Sequence, residues 1–392
     1  MKVAYVSHSD GLRAGAEISF IEVIKSLLLS GHSVHAILPS EGEITDQLVK
    51  MGIPFSVVPF GWWVGTSKSL RRRLSRLKRV LFAIPKFYRI LNQIKPDLVL
   101  TNTMTIPSAA IASFACRIPH IWYIHEFGVE DHGFLFDLGR PLSFFLIDKL
   151  SERILVNSRT LQQRFQDVFS LDKIRVLYYA VEVPIDHPGR PPGPDQSFRV
   201  ILAGRMTESK RQEDAIRAVA LLAKKRLSIQ LILLGTPTAR YGAYLHKLVE
   251  ENGVGEFVQF ISFTSPFQHI LSADVALICS KNEAFARVTL EAMKLGVPVI
   301  GSDSGGTPEQ IRPGFNGLLY RTGDSVDLAS KIECLYHDPA LLSELGRNAQ
   351  RWSNSIFNME KHTAELSSVF EEIAPPKPSC DRHHGLTAPS GD

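Results

Sequence analysis

Short apolar runs that each end in a polar or glycine-rich loop recur along this chain, and this rhythm restricts the possible folds more than any other feature. The chain opens with an apolar run at residues 3–6, a loop with Gly11 and Gly15, a helical stripe of apolar residues, and a second run at residues 34–38. Alternating strands and helices of this kind predict a parallel sheet with helices on both faces.

The rhythm occurs as two series separated by a change in composition. Residues 184–197 contain five prolines and two glycines, which disfavour both helix and strand and indicate a linker. After the strands at residues 3–6 and 34–38, the first series continues with predicted strands at residues 97–100, 121–124 and 154–156. The strands of the second series are predicted at residues 200–203, 229–234, 258–260, 275–279, 298–301 and 318–320. The sequence therefore predicts two doubly wound, Rossmann-like domains of the α/β class that face each other across a cleft.

These boundaries divide the chain into five parts. We expect an N-terminal domain at residues 1–183, the linker at residues 184–197 and a C-terminal domain at residues 198–352. A last helix at residues 353–373 is expected to pack back towards the N-terminal domain. The polar remainder, residues 374–392, is predicted to be a disordered tail.

Composition indicates a cytoplasmic protein. The net charge of +4 is too small to indicate a nucleic-acid partner, and the four cysteines lie far apart, without the spacing of a zinc site or a disulfide framework. The N-terminal apolar run is too short for a signal-peptide core, and no apolar stretch is long enough for a membrane-spanning helix.

Two glutamates in the second series carry the strongest chemical signal. Glu283 lies in the loop after the strand at residues 275–279, and Glu291 lies inside the helix that starts near Ala286. The unpaired amides at the start of that helix favour anions and polar oxygens, and a carboxylate accepts both hydrogen bonds of a ribose diol. A helix-capping Glu283 and a solvated Glu291 are the alternative interpretation.

The stretch from Asn282 to Tyr320 resembles the glutamate–seven residues–glutamate motif of the retaining glycosyltransferases of family 4, which have the GT-B fold. The match continues through EAMKLGVPVI, the Gly305-Gly306 turn, Pro308-Glu309 and Asn316-Gly317. The resemblance implies that Glu283 contacts the donor sugar and Glu291 the ribose. It also implies that the sugar is bound by the backbone amides of Ala284, Phe285, Ala286 and Arg287.

A second match to the family is the run from Gly204 to Lys210. Arg205 and Lys210 follow a strand, where two cations can neutralise a diphosphate and the charge that develops as the glycosidic bond breaks. Gly204 is assigned to the donor site with them. A pair of surface cations is the alternative. The family usually has glycine after the lysine, where this chain has Arg211.

Two further positions resemble the family pattern in the N-terminal half. Gly15 lies in the loop Arg13-Ala14-Gly15-Ala16-Glu17, where close backbone approach and a helix start suit a diphosphate. His125 ends a strand and is expected to face the donor sugar. A plain turn at Gly15 and a structural His125 are the alternatives. Ala14 and Ala286 stand where relatives often have glycine.

The resemblance implies a retaining hexosyltransferase that uses a nucleotide diphosphate sugar in polysaccharide, lipopolysaccharide or glycolipid synthesis. No Asp-x-Asp motif occurs, so we expect neither a metal nor another cofactor. The acceptor is expected to be a saccharide or a lipid-linked molecule. The alternatives are a catalytically degenerate subunit that binds nucleotide sugars and a nucleotide-sugar epimerase.

Residues 62–91 form a basic segment with nine Lys or Arg and no acid. Its apolar residues Leu70, Leu74, Leu77, Leu81 and Ile84 recur at helical spacing and are expected to pack against the N-terminal sheet. The cations, with Trp62 and Trp63 at the interface, suit the anionic inner face of a membrane, which would make the protein peripheral there. A solvated basic face is the alternative.

Overall fold

The computed structural model describes residues 1–12, 14–183 and 197–373. The predicted linker, apart from Ser197, and the predicted tail lie outside these residues. In the N-terminal half the strands are β1 (Lys2–Val6), β2 (Ser33–Leu38), β3 (Phe55–Val57), β4 (Val64–Gly65), β5 (Leu98–Asn102), β6 (His120–Ile124), β7 (Leu135–Phe136), β8 (Arg153–Val156) and β9 (Ile174–Val176). The helices are α1 (Gly15–Leu29), α2 (Glu43–Lys50), α3 (Leu70–Ile94), α4 (Pro107–Ala115), α5 (Arg140–Lys149) and α6 (Arg159–Phe165).

The C-terminal half repeats the arrangement. Its strands are β10 (Phe198–Ala203), β11 (Ile229–Leu234), β12 (Val258–Ile261), β13 (Val275–Ile278), β14 (Val299–Ser302) and β15 (Gly317–Tyr320). Its helices are α7 (Gln212–Lys224), α8 (Ala239–Asn252), α9 (Pro266–Leu271), α10 (Arg287–Lys294), α11 (Thr307–Gln310), α12 (Ser325–His337), α13 (Pro339–Ile356) and α14 (Met359–Ile373).

Each half contains its own parallel sheet, and the first strand of each half lies in the interior of that sheet. The strand order is β3-β2-β1-β5-β6-β8-β9 in the first sheet and β12-β11-β10-β13-β14-β15 in the second, and β4 pairs with β7 in a separate antiparallel ribbon. The order reverses beside β1 and beside β10, which opens a crevice at the carboxyl ends of the strands. The two doubly wound sheets predicted from the sequence are confirmed.

Burial explains why the strands were readable as apolar runs. Strands in the middle of both sheets are covered on their two faces, so β5, β6 and β13 are buried at every position. The short edge strands β3 and β9 were not predicted, because Phe55–Val57 and Ile174–Val176 each offer only three residues and no continuous apolar run.

The last predicted helix was wrong at its start. Residues 353–356 belong to α13, and a separate helix, α14, begins at Met359. The break occurs because the Asn358 side chain accepts a hydrogen bond from the Lys361 amide (2.8 Å), which caps a new helix start. This helix lies on α1, where His362 Nδ1 is 2.6 Å from Ser26 Oγ.

The predicted packing of the basic segment was also wrong. Leu70, Leu74 and Leu81 are 66%, 51% and 63% exposed. The stripe of α3 that packs against the domain consists of Val80, Ala83, Phe87, Leu91 and Ile94. A sequence stripe shows which residues share a helix face, but α3 carries two apolar faces, and tertiary packing covers only one of them.

Trp63 was wrongly placed at a surface. It is 1% exposed, stacks on Trp122 with ring centroids 6.4 Å apart, and donates a hydrogen bond from Nε1 to the Met104 carbonyl (2.8 Å). Trp62 is 38% exposed and donates to the carbonyl of His8 (3.2 Å). Trp63 directly precedes β4 and packs into the core, so only Trp62 of the two tryptophans faces outwards.

Candidate active site

The predicted site residues collect at the facing carboxyl edges of the two sheets. His125 follows β6 in the first sheet, and Arg205 and Glu283 follow β10 and β13 in the second. Because β10 and β13 are adjacent and parallel, the loops after them emerge side by side. Arg205 is exposed, whereas Lys210 and Glu283 are partly covered.

Lys210 and Glu283 form an ion pair across these two loops. Burial favours a raised pKa for the Glu283 carboxyl, but the charge and hydrogen bond of Lys210 and a hydrogen bond from Ser280 outweigh it, so the net pKa is lowered. Glu283 is therefore held as a carboxylate beside a fixed cation. This arrangement can bind polar hydroxyls and an anionic group at once.

The Gly305-Gly306 turn supports the backbone around Glu283. The Gly306 amide donates to the Glu283 carbonyl (2.7 Å), and Gly305 has a φ of +61°. A Cβ at Gly305 would lie 2.3 Å from the Glu283 carbonyl oxygen, and one at Gly306 would lie 2.1 Å from the Ala284 carbonyl oxygen. Only glycine permits this approach, so the turn fixes the position of the Glu283 loop.

Glu291 lies on α10 with a buried carboxylate and no hydrogen-bond donor among the described residues. Its nearest cation is Arg287, whose Nε is 3.8 Å from Glu291 Oε1 and also lacks a hydrogen-bond partner in the described part of the chain. Burial raises the pKa of Glu291 against the lowering effect of the Arg287 charge. A buried carboxylate with unused acceptors suits a ligand that brings its own hydroxyl donors.

Arg287 connects the two domains. Its guanidinium donates to both carboxylate oxygens of Glu22 on α1, at 2.7 and 2.8 Å, and lies 5.4 Å from the centre of the Tyr179 ring. Its side chain also covers Gly15, where a Cβ would come within 3.0 Å of Arg287 Cδ. Gly15 is the first residue of α1, and because it has no side chain, Arg287 can lie against it.

His125 has hydrogen bonds at both ring nitrogens. Nε2 is 2.6 Å from Asn102 Oδ1 and Nδ1 is 2.9 Å from the Tyr179 hydroxyl, which also accepts a hydrogen bond from Asn157. Burial lowers the pKa of His125 well below its ordinary value, and the charges of His8 and Arg287 act in the same direction. The imidazole is therefore neutral and is positioned by the N-terminal domain.

Arg211 takes the left-handed conformation that glycine usually supplies, with φ +53° and ψ 45°. Its guanidinium donates two hydrogen bonds of 2.8 Å to Asp214 in the first turn of α7. These bonds offset the cost of the left-handed backbone, which is about 1–2 kcal/mol for a non-glycine residue. The loop thus turns sharply after Lys210 without the glycine.

Two contacts between the domains were not predicted from the sequence. The Glu309 carboxylate accepts hydrogen bonds from the amides of Arg159 and Thr160 at the start of α6 (2.8 and 2.5 Å). The ring of Phe285 packs against Tyr178, with centroids 5.2 Å apart. Pro308-Glu309 was visible as a motif, but its partners are about 150 residues away, and no local pattern indicates them.

Ala284 and Ala286 are 5% and 6% exposed and lie on either side of Phe285. Ala286 is the residue that precedes α10, and its carbonyl accepts a hydrogen bond from Gln310 (2.9 Å). Gly204 follows β10 with a φ of +143°, and a Cβ on Gly235 would lie 1.9 Å from the Gly204 carbonyl oxygen. The backbone beside Glu283 and before Lys210 is therefore closely packed.

Comparison with known families covers both domains. The model of the glycosyltransferase family 4 matches residues 13–183, and the model of the glycosyl transferases of group 1 matches residues 187–352. The chain belongs to glycosyltransferase family 4.

Curated relatives of this family 4 chain act on different acceptors, according to their names. The D-inositol 3-phosphate glycosyltransferase of Pseudarthrobacter chlorophenolicus is 32% identical over 211 residues, which are 52% of this chain and 47% of the relative. The N-acetyl-alpha-D-glucosaminyl L-malate synthase of Bacillus anthracis is 28% identical over 257 residues, 65% of this chain and 64% of the relative. The chain spans about half the length of the first curated relatives it matches.

Solved structures show the same GT-B fold as this family 4 chain. HepE of Anabaena in complex with UDP-glucose has a TM-score of 0.75 at 22% identity, covering 95% of this chain and 100% of HepE. The lipopolysaccharide outer core galactosyltransferase WaaB has a TM-score of 0.69 at 18% identity, covering 95% and 100%. No helix in the described ranges has the length and apolar character needed to cross a bilayer.

Proposed function

We propose that this chain transfers a sugar from a nucleotide diphosphate sugar to an acceptor. The observation that carries the proposal is the Lys210–Glu283 pair at the ends of adjacent strands, together with Glu291 on the helix that follows Glu283, whose carboxylate lies 3.8 Å from Arg287 and accepts no hydrogen bond from the described residues. One cation, one sugar-binding carboxylate and one diol-binding carboxylate are what a nucleotide sugar requires.

The donor nucleotide binds at α10. The ribose hydroxyls donate to Glu291, and the free Nε–H group of Arg287 lies beside the same position. The amides of Ala284, Phe285, Ala286 and Arg287, at the start of α10, bind the donor sugar together with Glu283. The Gly15 amide at the start of α1 approaches the diphosphate from the opposite domain.

Arg205 and Lys210 bind the diphosphate and stabilise the charge that develops on it in the transition state. In other sugar transfers a metal ion neutralises the diphosphate, and here these two cations do so. The proposed reaction therefore uses neither a metal nor another cofactor. His125 supports the donor sugar from the N-terminal side, where contact requires the exchange of one of its present hydrogen bonds. The proposed stereochemical outcome is retention, with a donor phosphate oxygen as the base.

The proposed transferase moves a hexose in polysaccharide, lipopolysaccharide or glycolipid assembly. The acceptor is a saccharide or a lipid-linked molecule, and it enters from the N-terminal domain. This choice is supported by HepE, which has been solved with UDP and with UDP-glucose, and by WaaB, a lipopolysaccharide outer core galactosyltransferase.

The outward face of α3 supports a peripheral position on the anionic, cytoplasmic face of a membrane. Leu70, Leu74 and Leu81 share one helix side at intervals of four and seven residues, and Phe82, 73% exposed, lies next to them. Exposed cations flank these side chains and are free of acidic neighbours along the helix; they are Arg71, Arg72, Lys78, Arg79, Lys86 and Arg89. Apolar side chains among cations fit a headgroup layer better than water.

A thermal-shift screen tests the proposed function. Purified full chain is titrated with UDP, GDP, ADP, CMP and their common sugar conjugates. A nucleotide at 100 times its dissociation constant stabilises the fold by about 2.7 kcal/mol, which is easily measured as a shift in melting temperature. A shift with one nucleotide identifies the donor class, and well-folded protein that responds to none of them contradicts the proposal.

Turnover separates the proposed transferase from the two alternatives. Release of nucleotide and sugar, or formation of a glycoside, supports a transferase. Release of nucleotide together with an epimer of the donor sugar, without an acceptor, identifies an epimerase. Binding without turnover over many acceptors identifies a degenerate subunit, and the changes at Ala14, Ala286 and Arg211 are the features of this chain that favour that alternative.

A further inference from the structure

Glu309 joins the C-terminal domain to the start of α6 in the N-terminal domain. Its Oε2 accepts a hydrogen bond from the Arg159 amide (2.8 Å), and its Oε1 accepts one from the Thr160 amide and one from the Thr160 hydroxyl (both 2.5 Å). The next amide, that of Leu161, donates to the Ser158 side chain (3.0 Å). The first three amides of α6 are therefore capped from both domains, and Glu309 accepts two of them.

Tyr178 in the N-terminal domain contacts both Glu309 and the loop that carries Glu283. It follows β9, and its hydroxyl donates a hydrogen bond to Glu309 Oε2 (3.3 Å). Its ring packs against Phe285, which lies two residues after Glu283, with centroids 5.2 Å apart. The N-terminal domain thus holds α11, which contains Glu309, and the Glu283 loop together.

α11 in turn holds the loop that carries Glu283. Just before this helix, the Gly306 amide donates a hydrogen bond to the Glu283 carbonyl (2.7 Å). At its last residue, the Gln310 side chain donates to the Ala286 carbonyl (2.9 Å). Residues 283–286 are therefore bound at both ends by α11 and the turn before it, so a displacement of Glu309 displaces them too.

We propose that Glu309 is a positioning residue for the donor sugar. By bonding to the start of α6, it keeps α11 and the Glu283 loop in the orientation that binds the sugar. This inference rests on the proposed transferase function. Glu291, by contrast, lies inside α10, where hydrogen bonds of the helix itself fix the backbone, so binding of the free nucleotide depends less on Glu309. Contact between the domains thereby completes the sugar-binding part of the donor site.

A comparison of the sugar conjugate with the free nucleotide tests the proposal. The probes are UDP-glucose and UDP, or the pair that the thermal-shift screen selects. Glu309→Gln replaces one acceptor oxygen by an NH2 group, so one of the bonds to α6 is lost. We expect a fall in kcat for donor hydrolysis of roughly tenfold to a hundredfold, as misplaced binding groups cause, with an unchanged Kd for UDP. Glu333→Gln, in the exposed pair with Lys225, is the matched control and should behave as the wild type does.

Thr160 offers a second variant pair that leaves Glu309 in place. Thr160→Val removes the hydroxyl that bonds to Glu309 and should lower kcat in the same direction, whereas Thr160→Ser keeps that hydroxyl and should retain most of kcat. Glu309→Gln combined with Thr160→Val should cost less than the product of the two single losses, because both changes weaken one contact.

Wild-type kcat in both Glu309→Gln and Thr160→Val overturns the inference. An equal loss of affinity for UDP and UDP-glucose that follows a lower melting temperature overturns it as well, since this would show a general structural role. Independent, fully multiplicative losses in the double variant contradict the shared contact. A wild-type chain that binds no nucleotide overturns the proposed function itself, whereas normal turnover in the variants of an active chain overturns this inference alone.

Discussion

Arg287 on α10 and Glu22 on α1 form a buried two-pronged ion pair between the domains, with N–O distances of 2.7 and 2.8 Å. The exposed fractions of the two side chains are 7% and 6%. Arg287 also adjoins Gly15 and Glu291, so one side chain links the helix start of the first domain to the proposed ribose carboxylate of the second.

Breaking this pair should destabilise the fold. Arg287→Met leaves the Glu22 carboxylate buried without its partner, which costs about 3–5 kcal/mol. Glu22→Leu combined with Arg287→Met should recover much of the loss, because the remaining charge is removed. Chemical denaturation of the single and double variants measures the coupling. Lys225→Met, in the exposed pair with Glu333, is the control and should cost about 0–1 kcal/mol. If Arg287→Met and Lys225→Met lowered the free energy of unfolding equally, the buried pair would not have the stabilising role given to it here.

Glu291 and Lys210 should differ in their kinetic effects. Glu291→Ala removes hydrogen bonds to a charged group, worth about 1.5–3 kcal/mol, and should weaken nucleotide binding roughly tenfold to a hundredfold. Lys210→Ala removes stabilisation of the leaving group and should mainly lower kcat, by about 10²–10³-fold. Calorimetry and donor hydrolysis measure the two effects, with the exposed Glu251→Ala and Lys225→Ala as controls. Wild-type kinetics in both folded variants would refute the site assignment.

Gly305→Ala should disable the site from outside it. The new Cβ would lie 2.3 Å from the Glu283 carbonyl oxygen at a residue with φ +61°, so the Glu283 loop must move. We expect a drop in nucleotide affinity as well as in kcat, since Ala284 and the start of α10 move with the loop. Gly314→Ala, also at positive φ but with open space around the Cβ, reports the backbone strain alone. Similar activity in both variants would contradict the role given to the turn.

The exposed face of α3 should bind anionic vesicles. Purified chain is sedimented with vesicles of mixed phosphatidylcholine and phosphatidylglycerol, whose anionic surface attracts each nearby Lys or Arg by about 1 kcal/mol. Leu74→Ser/Leu81→Ser should weaken binding at least about tenfold, because each buried leucine contributes about 1.5–3 kcal/mol. Leu29→Ser, 68% exposed at the end of α1, should bind as the wild type does. Equal binding to vesicles of phosphatidylcholine alone would argue against an anionic surface.

Glu126 should make stability depend on pH. Burial raises its pKa to about 8, although the amides of Met104 and His125 donate hydrogen bonds to it and oppose the rise. The folded chain keeps this proton up to about pH 8, whereas the unfolded chain loses it near the ordinary pKa of 4.5. The contribution of Glu126 to the free energy of unfolding is therefore complete below pH 4.5 and is lost as the pH rises to 8. The advantage of wild type over Glu126→Gln in melting temperature should therefore shrink between pH 5 and 8. A constant difference would contradict the raised pKa.

The sequence by itself determined the two sheets and the position of most site residues. Apolar runs report strands buried on both faces, and residues directly after such strands must lie at the carboxyl edge of the sheet, as Arg205, Glu283 and His125 do. The glycines of the Gly305-Gly306 turn were also readable, because a motif of adjacent residues is a local property.

Only the tertiary structure decided which groups meet across the cleft. The partner of Arg287 is Glu22, and the partners of Glu309 are Arg159 and Thr160, all far away in sequence. The same reason explains the two tryptophans and the outward stripe of α3: periodicity shows which residues share a face, whereas the packing of one element on another decides which face is covered.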